Sequence, residues 1–359
     1  MTVAPAGTLA ERLPDAQRAV AAGATARDRD DTGAFPEDAI TALETAGALA
    51  ATATATPLPF AQELALLRTV ARADAGVARI LDGHLNAVER LRVQAPPGVR
   101  DDELAAIAAG RLRAGVWGAD PVAGEGEGAR LRDGAVHGVK TFCSGAGGLQ
   151  RALVLVRGDD SGPPLAAYVD LTVPGTVTVD RTWFRGAGMR SSASHRVVFA
   201  GAPVLAVLGP PGALSAQPWF ARDAVRTAAT WAGAADAAVE DALDHLAARP
   251  QTSELEGLAA GRLQTWQHGL GLWLADAARI LDGDPDDATA ATTSAQLRGA
   301  VADAARAVLD EAERATGSRP GVTGSALDRA GRDLRLFLRQ HRLEPIVARS
   351  GRAAIEARR

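Results

Sequence analysis

The 359 residues contain one cysteine, one lysine and two methionines, and no run of 18 apolar residues. A lone cysteine, Cys143, excludes an internal disulfide and any cysteine-cluster metal site, and it fits a reducing compartment. Without a long apolar run no membrane-spanning helix is expected. Residues 1–13 also lack the basic start and apolar block of an export signal, so the expected location is cytoplasmic, with no membrane partner. The net charge of -4 and pI near 5.9 give no electrostatic basis for a nucleic-acid partner, and the locally basic stretch Arg349 to Arg359 reads as a solvated helix end. No Gly-rich phosphate loop followed by Lys and no Rossmann fingerprint is present. His84, His137, His195, His245 and His268 show no spacing with acids or with each other that would build a metal site, so no metal is expected. They are read as residues at the surface or behind a site. Heavy use of Ala, Arg and Gly with almost no Lys matches GC-rich bacterial coding, so alanine content alone is no argument for helix.

What is present is an ordinary globular composition, 47% hydrophobic and 23% charged, long enough for two or three domains. The pattern changes character twice. From Leu9 to about Arg113 apolar residues recur at helical spacing, as in Ile40, Leu43, Ala46 and in Leu64, Leu67, Val70, Ala71, with breaks at Phe35-Pro36 and Pro57-Leu58-Pro59. From about Gly115 to Val207 the period becomes two and the turns Gly-rich, with strands at 153–156, 165–169, 177–179 and 197–199. After Pro210-Pro211 long helical stretches return at 222–249, 257–282, 294–316 and 326–338, joined by short polar loops. The fold class expected is α+β and multidomain. A helical domain (1–113) leads into an antiparallel β-barrel or sandwich (114–208), and a C-terminal four-helix bundle follows (209–359).

The single lysine lies in Gly138-Val139-Lys140-Thr141-Phe142-Cys143-Ser144-Gly145-Ala146-Gly147-Gly148, directly before a strand. The residues alone allow two readings. One is a β-hairpin turn with a solvated Lys140; the other is a glycine-rich turn where small residues let a ligand approach the backbone.

The order helical domain, β domain, helical bundle, with this turn in the middle, resembles the acyl-CoA dehydrogenase superfamily of flavoproteins over nearly the whole chain. Residues 28–47 resemble its N-terminal helix pair, and Val70 to Asp74 its following helix. Val116 to Pro121 is similar to the first flavin-contacting loop, keeping its acidic residue and proline, which implies cofactor contacts at Trp117 and Ala119. Lys140 to Gly145 resembles the second loop. There an aromatic packs on the isoalloxazine and a hydroxyl two positions on addresses N5; Phe142 and Ser144 take those places, with Cys143 between them. For Phe142 the alternative is plain barrel core. Gly188 to Ser194, leading into Val197 and Pro203, resembles the third motif, which implies substrate contacts at Arg190, Ser192 and Ser194. The resemblance implies FAD as cofactor, an acyl-CoA or carrier-bound thioester as small-molecule partner, and a homodimer or homotetramer built on the bundle. It also implies an Arg and a Gln for the FAD pyrophosphate and adenine, for which Arg249 and either Gln264 or Gln267 stand.

The activity implied is removal of an α-proton by a carboxylate while flavin N5 takes hydride from the β-carbon. The bundle loop that holds this base in most members corresponds to residues 316–326 and contains no carboxylate. Members that carry the base on the first bundle helix point to Asp223, for which the alternative is a helix-start acid favoured by the dipole. The superfamily's flavin monooxygenase branch offers a second reading. Leu327 to Arg335 followed by His341 is similar to its C-terminal pattern, where a histidine handles protons near the flavin; His341 could equally be a helix-terminal cation. A third reading is a catalytically inactive member.

Overall fold

The computed structural model describes all residues except 1–8, 22, 159–161, 322–324 and 341. In chain order the helices are α1 (Leu9–Ala21), α2 (Gly23–Thr32), α3 (Glu37–Thr45), α4 (Phe60–Ala73), α5 (Ala75–Gln94) and α6 (Pro97–Ala108). Among the described residues seven strands follow: β1 (Ala114–Trp117), β2 (Arg130–Arg132), β3 (Ala135–Cys143), β4 (Arg151–Val156), β5 (Leu165–Asp170), β6 (Val177–Asp180) and β7 (His195–Val207). The chain ends in α7 (Trp219–Ala247), α8 (Glu254–Asp282), α9 (Asp287–Thr316), α10 (Ala326–Phe337) and α11 (Glu344–Glu356). No helix among the described residues is long and apolar enough to cross a membrane.

The described chain forms two compact units. One comprises the described residues within Met1–Leu58, Arg79–Arg185 and Arg190–Trp219; the other comprises those within Pro59–Ala78, Gly186–Met189 and Phe220–Arg359. In the first, the sheet order is β1-β4-β5-β7-β3-β2, with β6 also on β7. The long β7 serves two partners in turn. Its first half pairs antiparallel with β3 and β6, and its last residues pair with β5. All pairs are antiparallel except β1 with β4, which run parallel, so the sheet is mixed and departs from the antiparallel expectation at that one edge. Val88, Leu91 and Ile107 of α5 and α6 pack on Leu153, Ala166, Tyr168 and Leu208, which gives this unit a helix-on-sheet core.

In the second unit α4 joins the C-terminal helices. Its periodic face, Leu64, Leu67, Val70 and Ala71, is buried as the spacing predicts. Gly233 of α7 lets the two helices approach closely, since a Cβ there would lie 2.2 Å from the Arg68 carbonyl oxygen of α4. Beside it Arg68 forms a two-pronged pair with Asp236, at 2.6 and 2.9 Å. Helix starts follow their capping residues. Ser253 and Glu256 form a reciprocal capping box on α8, Asp286 caps α9 and Ser325 caps α10, each substitution to Ala expected to cost about 1 kcal/mol.

Candidate functional site

Lys140 is buried on β3, so the solvated-turn reading is overturned. Its ammonium donates to the Asp120 carboxylate at 2.7 Å and to the Gly118 carbonyl at 3.1 Å. Burial lowers its pKa and the Asp120 carboxylate opposes that shift. The Thr141 amide donates to the Ala119 carbonyl at 3.1 Å, and the Thr141 hydroxyl to the Asp120 carbonyl at 3.2 Å. Together these bonds staple the loop 118–120 to β3.

The staple is possible because β3 and β7 lose register between Lys140 and Cys143. Such a bulge frees residues from the ladder and re-aims a side chain. The side chain re-aimed here is Phe142, which takes a left-handed φ of 51° and is 56% exposed. A large aromatic in that conformation is an outlier that points to a site. Its ring stands nearly perpendicular to Trp183 at 4.9 Å and to Phe184 at 6.4 Å, both half-buried, so Phe142 is not barrel core but the exposed member of an aromatic cluster.

Cys143 and Ser144 then turn inward. Burial pushes the Cys143 thiol well up and keeps it protonated, which removes it as a nucleophile. The Ser144 hydroxyl lies 2.9 Å from that of Ser194, which lies 2.7 Å from that of Ser192, and all three are buried. Behind them, the buried Trp117 indole donates to the Ser144 carbonyl at 2.9 Å. Ala119 is exposed on the stapled loop. Arg190 is spent elsewhere, its guanidinium donating to the carbonyls of Asp30 and Asp31 at the end of α2. Of the sequence-predicted residues, this unit therefore brings Trp117, Ala119, Phe142, Cys143, Ser144, Ser192 and Ser194 to one place.

The other predicted residues lie in the second unit or outside the described residues. Asp223, at the start of α7, has its carboxylate 3.6 Å from Arg226, whose guanidinium is paired at 2.8 Å with the buried Glu63 of α4. Arg249 pairs with Glu256 and donates to the Ala315 carbonyl at 3.1 Å, closing the end of α9. Gln264 is exposed on α8. His341 lies outside the described residues, as do residues 322–324 of the carboxylate-free segment. The Arg332-Asp333 pair of α10 holds the turn 186–189. Asp333 accepts from the Met189 amide, Arg332 donates to the Ala187 carbonyl at 2.6 Å, and a Cβ at Gly188 would sit 2.2 Å from the Arg332 carbonyl oxygen.

Sequence reasoning missed Trp183 and Phe184, although two adjacent aromatics in the polar stretch Asp180 to Arg185 of an aromatic-poor chain are a signal. His84 and His195, read as lying at the surface or behind a site, are both buried, which leaves only the second of those readings. The ring of His84 bridges the Leu49 carbonyl at 3.0 Å and the Ala114 amide at 3.1 Å, so it ties the chain after α3 to β1. Among the described residues no group of three or more His, Cys, Asp or Glu could hold a metal ion.

No protein-family model and no curated protein matches the chain. Solved structures do match over nearly its whole length. They include a nitrososynthase from Micromonospora carbonacea var. africana, at 26% identity and TM-score 0.79, covering 96% of this chain and 94% of that one. TdsC from Paenibacillus sp. A11-2, a dibenzothiophene monooxygenase solved with FMN and indole, matches at 17% identity and TM-score 0.85 over 96% of each chain. Butyryl-CoA dehydrogenase from Megasphaera elsdenii matches at 18% identity and TM-score 0.83 over 99% of this chain and 100% of that one. The chain has the acyl-CoA dehydrogenase fold that its motifs resemble.

Proposed function

We propose that the protein is a flavin-dependent oxidoreductase acting on a small molecule, and within that class a monooxygenase supplied with reduced flavin. The observation that carries the flavin is the Phe142 bulge. A flavin ring needs a flat apolar face and a hydrogen-bond partner at N5, with water kept from the reacting carbon. The exposed Phe142 ring fits the face, with the half-buried Trp183 and Phe184 rings standing edge-on beside it, and Ser144, two residues on from Phe142, fits the N5 partner. The stapled loop around Ala119 would flank the ring, and Trp117 would brace Ser144 from behind. Bound there, the flavin would supply two-electron chemistry and, when reduced, the activation of dioxygen.

Dehydrogenation of an acyl thioester by FAD is the second reading, favoured by the whole-chain resemblance. It needs a carboxylate free to take a proton, and Asp223 is a poor candidate because its carboxylate lies 3.6 Å from the Arg226 guanidinium in the ion-pair network of α7. Arg249, committed to Glu256 and the end of α9, is likewise a poor grip for the pyrophosphate of FAD. The commitment of Arg249 favours a flavin without the adenylate, as FMN is.

The deciding experiment compares two reactions of the purified protein. In one, FMN and a separate NADH-dependent flavin reductase are supplied with amine, sulfur-heterocycle and indole substrates, and oxygen insertion is followed. In the other, acyl-CoA oxidation is followed with FAD and an electron-accepting dye. Oxygenated product in the first and none in the second supports the monooxygenase. Thioester oxidation that Asp223→Ala abolishes would replace it with the dehydrogenase, and failure to bind either flavin would remove both.

A further inference from the structure

Resting on the flavin reading above, we infer that Ser194 is a positioning residue: the chain Ser144–Ser194–Ser192 reverses its hydrogen-bond direction when the flavin changes redox state, so that Ser144 can serve N5 in both. The need for such a device follows from N5 itself. In oxidised flavin N5 carries a lone pair and accepts a hydrogen bond; in reduced flavin it carries a hydrogen and donates one. A single hydroxyl facing it must therefore donate in one state and accept in the other.

A serine hydroxyl has one hydrogen and two lone pairs, so it can change roles only if its other neighbour changes with it. Ser144 has such a neighbour in the Ser194 hydroxyl at 2.9 Å, and Ser194 has one in Ser192 at 2.7 Å, with either atom of each pair able to donate. Facing oxidised flavin, the hydrogens run from Ser192 to Ser194 to Ser144 to N5. Facing reduced flavin, they run from N5 to Ser144 to Ser194 to Ser192, whose own hydrogen turns to an acceptor beyond the chain. No proton leaves the chain; each hydroxyl keeps its hydrogen and only turns it. Burial of all three keeps water from substituting for a missing neighbour. The backbone fixes the spacing, because the Gly145 amide donates to the Ser192 carbonyl at 2.9 Å and the Ala146 amide to the Ala193 carbonyl at 3.2 Å.

The consequence is asymmetric. Without the Ser194 hydroxyl, Ser144 facing oxidised flavin loses a donor to its lone pair, which is tolerable. Facing reduced flavin, it is left with a buried O–H and no acceptor, which is the costlier defect. Ser194→Ala is therefore expected to weaken binding of reduced FMN about tenfold more than that of oxidised FMN. This equals a fall of about 30 mV in the midpoint potential of the bound flavin as a two-electron couple.

The test is anaerobic titration of the full-length protein with oxidised FMN and with dithionite-reduced FMN, and the readout is the ratio of the two dissociation constants. Ser194→Thr, which keeps a hydroxyl, is expected to restore the wild-type ratio, and Ser192→Ala to shift it in the same direction by less. In a Ser144→Ala background Ser194→Ala is expected to leave the ratio unchanged, since the link to N5 is already cut. Equal weakening of both states by Ser194→Ala, or a shift that persists in the Ser144→Ala background, would mean Ser194 only packs and would overturn the inference. If Ser194→Ala fails to fold, an unchanged ratio in Ser192→Ala overturns it instead. A wild-type protein that binds neither form of FMN overturns the flavin reading along with it.

Discussion

The Phe142 bulge and the start of α7 are both built from residues that chemistry would choose, yet they treat them in opposite ways. At the bulge a large ring is left uncovered in a left-handed backbone, and three hydroxyls are lined up behind it. At α7 the charges close on each other. Glu63 holds Arg226, Arg226 neighbours Asp223, and Arg222 lies 3.8 Å over the Phe60 ring, 3.2 Å from Asp282. The first region keeps capacity for something not yet in contact with it. The second uses its capacity on itself, as a network that orders helices does. An acid near the expected position is thus weaker support for a catalytic base than a side chain left without a structural task.

The largest effect that sharpens this contrast is expected at Arg226. It is fully buried against Glu63, and removing one partner of a buried ion pair leaves an uncompensated charge. Arg226→Met is expected to cost about 3–5 kcal/mol of stability, read by chemical denaturation. A loss below about 1 kcal/mol would show that the charges at α7 are not a structural network.

Next in size is Phe142→Ala. The ring is exposed, so stability should move by less than about 0.5 kcal/mol. Affinity for FMN should fall about tenfold or more, since an aromatic platform loses both buried area and ring contact. A variant that melts early but binds FMN normally would reverse the assignment and make Phe142 a packing residue.

How much of this was legible in the sequence depends on how far each contact reaches along the chain. The α4 face of Leu64, Leu67, Val70 and Ala71 announces itself by spacing, and Ser325 stands directly before the helix expected from 326, whereas the starts expected at 257 and 294 fall inside α8 and α9, past their caps Ser253 and Asp286. Phe142 and Ser144 were legible because resemblance singled out their two-residue spacing, although periodicity alone would have placed Phe142 in the core. The parallel pairing of β1 was not, because four residues, Ala-Gly-Val-Trp, carry no signal of strand direction. Nor was the state of Asp223. Arg226 lies three positions on and is visible, but the Glu63 that fixes Arg226 comes from 163 residues away. His84 reads as a polar residue in an amphipathic helix, and only the fold shows both of its ring nitrogens engaged.

That buried imidazole gives the smallest expected effect, and it separates a titrating structural group from a titrating site. Burial lowers the pKa of His84 below 6.5, so the unfolded chain takes up a proton on acidification before the folded one does. Stability is then full above the unfolded value and is lost as pH falls through about 6.5 toward the lowered folded value. Between about pH 7 and pH 6 the loss from one such histidine is at most about 0.7 kcal/mol. A denaturation series over that range should fall less steeply in His84→Gln than in the wild type, while FMN affinity at neutral pH stays unchanged because the hydroxyls and rings at the bulge are untouched. Identical slopes in the two proteins would show that His84 takes up its proton as readily folded as unfolded. On acidification through about pH 6.5 the Ala114 amide would then lose the lone pair on Nδ1 that it meets, at no greater cost than in the open chain, contrary to the hydrogen bond that ties β1 to α5.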